Sequence, residues 1–74
     1  MKTRVNIVGE NIKQLRMQQH LRQEDVSQGL LNHGVYISQK SLSAIEVGTR
    51  RVNDYEIFAF ARLFGVPVDE LMGE

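Results

Sequence analysis

The stretch SQKSLSAIEVGTRR, residues 38–51, gathers one amide, four hydroxyls and three cations around a single carboxylate, Glu46. Its spacing predicts a helix over about 38–47 that turns Leu42 and Ile45 inward. Gln39, Lys40, Ser41, Ser43, Ala44 and Val47 then face outward. A solvated helix usually mixes Glu with Lys on that side. A side that faces a polyanion keeps carboxylates off its leading end, because phosphate repels them. An amide fits the N6/N7 edge of adenine, a lysine fits O6/N7 of guanine, and an alanine methyl fits the thymine methyl. Gln39, Lys40, Ser43 and Ala44 are therefore the expected base-reading residues. A plainly solvated face is the alternative.

Phosphate contacts would surround that helix. Ser38 and Ser41 stand in its first turn, and Thr49, Arg50 and Arg51 follow its end. Such contacts fix register and orientation without reading sequence. Loop solubility, or Arg50 bonding the last carbonyls of the helix, would account for the arginines equally. Gln23, in the first turn of the preceding helix, could present its amide beside free backbone N–H groups.

Formal net charge is zero, which taken alone argues against a nucleic-acid binder. The charge is unevenly placed, however. Residues 36–51 carry Lys40, Arg50 and Arg51 against Glu46, a local +2. Residues 53–74 carry Asp54, Glu56, Asp69, Glu70 and Glu74 against Arg62, a local −4. A neutral total can hide one basic face and one acidic end.

The elements that must hold these residues are short helices. Val8, Ile12, Leu15 and Gln19 give a first helix an inner face near 7–19, with Asn6 as its cap. Residues 23–33 form the second, with Val26 and Leu30 inward, Glu24 and Asp25 in the first turn, and Gly34 at its end. Ser38 caps the third and Gly48 stops it. Asn53 or Asp54 caps a fourth over 54–64, whose stripe is Ile57, Phe60, Ala61 and Phe64. VPVDELM supplies a short fifth. The expected fold is an all-α orthogonal bundle of five short helices, the second and third forming a helix-turn-helix. Residues 1–6 read as a loose N-terminal arm carrying Lys2 and Arg4, and residues 7–74 as the domain.

Taken in order, IKQLR, QED, S..SLSAIEVG, R.V.DYE and AFARLFGVPVDEL resemble the Cro/repressor-like, or XRE-type, helix-turn-helix family over roughly residues 8–72. The resemblance implies a salt bridge between Arg16 and Glu46, a phosphate contact by Gln23, and base reading by Gln39 and Lys40. Two departures stand out. Gln23 to Glu46 spans 23 positions, about five more than the family pattern, so the turn before the third helix is longer. Ser27 replaces the family's alanine.

With 74 residues the chain is one small domain, and a partner subunit would help its marginal stability. Relatives use symmetric dimers, since one helix reads too few base pairs. Tyr55, Phe58, Leu71 and Met72 are the candidate dimer residues, with Phe58 covering the core as the alternative. There is no cysteine, which fits a reducing cytoplasm and removes disulfides and thiolate sites from consideration. No apolar run could span a membrane. His20 and His33 stand apart from any ligand set, and no catalytic triad or phosphate loop is visible, so neither enzyme, metal nor cofactor is expected. The expectation is a bacterial or phage-type regulator, a repressor by preference, binding double-stranded DNA as a homodimer on a palindromic operator. The rival is a protein-interaction module or antitoxin-type adaptor, docking a protein through helix 4 and the C-terminal turn.

Overall fold

Three helices start where a short polar side chain accepts the N–H three residues on. Asn6 accepts from Gly9 at 2.8 Å, Ser38 from Ser41 at 3.1 Å, and Asn53 from Glu56 at 2.9 Å. In the computed structural model, which describes residues 3–73, these starts open α1 (Gly9–Gln18), α3 (Gln39–Val47) and α4 (Asp54–Phe64). α2 (Gln23–Leu31) lacks such a cap. There the Asp25 carboxylate accepts from the Arg22 backbone N–H at 2.8 Å, and Arg22's guanidinium leans on the same group. α5 (Val68–Leu71) follows Pro67. Gly48 (φ 91°) and Gly65 (φ 72°) end α3 and α4 in the left-handed conformation that a side chain would disfavour.

All five expected helices are present among the described residues, with edges shifted. α1 begins at Gly9, leaving Ile7 outside. α2 stops at Leu31, and tight turns carry the chain through Gly34. Gln19, expected inward, is exposed and donates its amide to the Phe64 carbonyl at 2.9 Å.

The core joins every helix. Ile12, Val26, Leu30, Ile37, Leu42, Ile45, Phe60 and Leu71 are fully or almost fully buried. Phe60 and Phe64 stack at 6.2 Å. α1 packs on α3, and α2 lies against both α3 and α4. The approach of α1 to α3 is close enough that a Cβ on Gly9 would collide with the Ile45 carbonyl oxygen.

Residues 4–6, expected within a loose arm, are tied to the end of α3. Val5 N–H donates to the Gly48 carbonyl at 2.8 Å, and Asn6 donates to the carbonyls of Ile45 and Arg50 at 3.0 and 2.8 Å. Arg4 donates to the Glu46 carbonyl at 3.1 Å. These bonds satisfy carbonyls that the end of a helix leaves free. Lys2 lies outside the described residues.

Ser27 has a cost attached to it. Its hydroxyl oxygen is buried in α2 with no hydrogen-bond partner among the described residues. A buried polar group without a partner costs about 1–3 kcal/mol. Ser27→Ala is therefore expected to stabilise the fold by about 1 kcal/mol. Thermal unfolding followed by circular dichroism would show a rise of roughly 4–8 °C for a domain this small.

Candidate nucleic-acid interface

Gln39, Lys40 and Ser43 are exposed on one side of α3, opposite the buried Leu42 and Ile45. Ser41 and Ala44 are half-buried at its margins. Neither Gln39 nor Lys40 is packed beneath another part of the molecule, and the longer turn ahead of α3 leaves them open. Ser38 is half-buried, its hydroxyl occupied as the helix cap. Thr49 is exposed, its hydroxyl donating to the Ala44 carbonyl at 3.3 Å.

The carboxylate of α3 is drawn away from this side. Glu46 is buried, and Arg16 from α1 meets it with two bonds, Nε to Oε2 at 2.7 Å and Nη2 to Oε1 at 3.0 Å. Gln23, at the start of α2, donates its amide to the same Oε1 at 3.1 Å. Arg16 also donates to the Leu21 carbonyl at 3.1 Å, so α1, the corner, α2 and α3 converge on one ion pair. The hydrogen-bonded Glu46 carboxylate pushes the Arg16 guanidinium above its ordinary value, against the opposing effect of burial. Gln23 was expected to offer its amide to phosphate. One N–H of that amide is instead engaged by Glu46, beside the backbone N–H groups that the first turn of α2 leaves without helical partners.

Arg50 requires a similar correction. It was expected at the phosphates, yet it forms two bonds with Glu56, at 3.0 and 2.9 Å. Glu56 also accepts the Asn53 N–H at 3.1 Å and so completes a capping box on α4. The sequence carries the signal for the capping box, an Asn followed three residues later by Glu, but not for Arg50 as a partner of that Glu. Arg51 is exposed and takes part in no ion pair among the described residues.

The Arg50 hydrogen bonds hold the Glu56 carboxyl below its usual range, burial opposing and the Asn53 N–H assisting. A depressed folded-state value means stability that is present above the unfolded value, near 4.3, and lost as pH falls through the folded one. The melting temperature should fall with acid below about pH 4.3. Asp25, held low chiefly by Arg22, adds to the same trend. Glu56→Gln should flatten the decline while lowering stability at neutral pH. An equally steep decline in both proteins, measured by thermal melts from pH 3 to 7, would contradict this.

The four candidate dimer residues do not share a surface. Leu71 is fully buried in the core, because the one-turn α5 points it inward, and so has no surface to offer a second subunit. Tyr55 and Phe58 are exposed beside Arg62, whose guanidinium lies 5.4 Å from the Phe58 ring centre. They line a groove of about 480 Å³ against Asn32, His33, Gly34 and Val35. Met72 instead lines a separate, mainly apolar groove of about 320 Å³ with Val5, Ile7, Val8, Val52 and Ile57, bordered by Asn6 and Arg51. Sequence reasoning missed this second groove, since the docking of residues 4–6 creates it.

Two helices joined by a turn, the second carrying an open, acid-free outer side and braced from behind, define a helix-turn-helix module of the DNA-binding kind. The helix-turn-helix family model HTH_3 matches residues 12–71, and the chain belongs to that family, in its XRE-type, Cro/repressor-like form. Proteins of this family are DNA-binding regulators. No curated protein and no solved structure matches the chain. Among the described residues no His, Asp or Glu cluster could hold a metal ion, and no helix is long and apolar enough to cross a membrane.

Proposed function

We propose that the chain is a transcriptional regulator, acting as a repressor, that binds double-stranded DNA through α3 and has no catalytic role. The observation that carries this reading is the outer side of α3, where Gln39, Lys40 and Ser43 are open and Glu46 is withdrawn into its pair with Arg16. Gln39 and Lys40 read bases in the major groove, with Ser43 and Ala44 beside them. Arg51, Ser38, Ser41 and the start of α2 hold the phosphates, with Thr49 joining them if its hydroxyl turns from the Ala44 carbonyl.

A homodimer on a palindromic operator completes the reading, with its two α3 helices about 34–36 Å apart. The groove around Met72 supports the dimer best, because Ile7 in its lining is 68% exposed and its walls are apolar apart from Asn6 and Arg51. Sedimentation that finds only monomers at high concentration would contradict this. A cytoplasmic setting in a bacterium or its phage suits such a regulator. The groove at Tyr55 and Phe58 supports a second reading, an antitoxin-type adaptor that docks a protein there.

Selection of bound duplexes from a random pool separates the two. An enriched palindrome supports the regulator. No enrichment, even at low salt, supports the adaptor.

A further inference from the structure

We infer that Tyr36, in the lengthened turn between α2 and α3, is a contact to the DNA backbone. The inference rests on the DNA-binding reading above and adds an element to it. Residues 35–38 run without regular structure, and their side chains alternate. Val35 packs on the core, Ile37 is 1% exposed, and Tyr36 between them is 73% exposed. Val35 lines the groove toward α4, whereas Tyr36 is not among that groove's walls. The exposed phenol is thus clear of that groove and of the core, two residues ahead of the Ser38 cap of α3.

Two extended residues span about 7 Å. The major groove is about 12 Å wide. With the front of α3 in the groove, a tyrosine at that distance meets the wall, which is a sugar-phosphate rail. The chemistry suits a rail and not a base. The hydroxyl is an uncharged donor to a phosphate oxygen, and the ring can lie on a deoxyribose. From Asn32 to Ile45 the chain holds no carboxylate, so nothing on the turn repels the phosphate. The lengthened turn thus extends the acid-free front of α3 by one aromatic side chain.

Tyr36→Phe and Tyr36→Ala test this against the enriched duplex and a scrambled one, across a salt series. Tyr36→Phe should weaken both duplexes alike, by about 3- to 10-fold, the scale of one hydrogen bond. Tyr36→Ala should weaken both further, by at least about 10-fold, once ring packing is also lost. The ratio between the duplexes should hold. The slope of log K against log salt should also hold, because no charge and no counterion is involved. Both variants should melt like the parent, since the side chain is exposed. Affinity within twofold of the parent for Tyr36→Ala would overturn the inference while leaving the DNA-binding reading intact. A parent that binds no duplex at all would overturn both.

Discussion

Replacing Arg16 with alanine is expected to lower the melting temperature by at least about 12 °C. The side chains of the pair are 15% and 4% exposed, so Glu46 would be left buried with its charge uncompensated. Removing one partner of a buried pair costs about 3–5 kcal/mol, and each kcal/mol moves the midpoint of a domain this small by about 4–8 °C. Against a total stability of about 5–15 kcal/mol, much of the fold's margin would go. Gln23 keeps one bond to Glu46, which softens the loss without neutralising the charge. Removing both charges together, in Arg16→Met with Glu46→Leu, should cost much less than Arg16→Ala alone, because no stranded ion remains. An unchanged melting temperature for Arg16→Ala would rule out the brace.

The second large effect concerns recognition. Lys40→Ala is expected to cost about 1–3 kcal/mol against the preferred base at one operator position, and much less elsewhere. Arg51→Ala should instead weaken every duplex alike and reduce the salt slope by about 0.9, the release from one phosphate. The two variants separate reading from holding. Lys40 stands exposed on the outer side of α3, whereas Arg51 follows its end. Binding titrations on the operator and on its single-base variants would show the division. Equal losses on all sequences for both variants would contradict it.

What the sequence disclosed was mostly local. Ser38, Gly48, Asn53 and Gly65 fix helix ends through bonds or dihedrals within a few residues, and each does so in the structure. The inward phase of α3 followed from Leu42 and Ile45, which left Gln39 and Lys40 outward. The bond between Arg16 and Glu46 spans 30 positions, and family resemblance supplied it where periodicity could not. Leu71 was misplaced because a four-residue helix is too short for its pattern to set which side faces the core. The docking of Arg4 and Val5 depends on carbonyls more than 40 positions away, and nothing in their own types announces it. Arg50 shows the converse. Its partner, Glu56, is marked by the capping pattern with Asn53, whereas the local +2 of residues 36–51 points Arg50 toward phosphate.

The outer side of α3 is the surface proposed to meet DNA. Titrating the labelled protein with the selected duplex, and following backbone amides by nuclear magnetic resonance, tests it directly. The largest shifts are expected at Gln39, Lys40, Ser43 and Ala44, with smaller ones at Gln23, Thr49 and Arg51. Shifts confined to Tyr55, Phe58 and Arg62, with α3 silent, would contradict it.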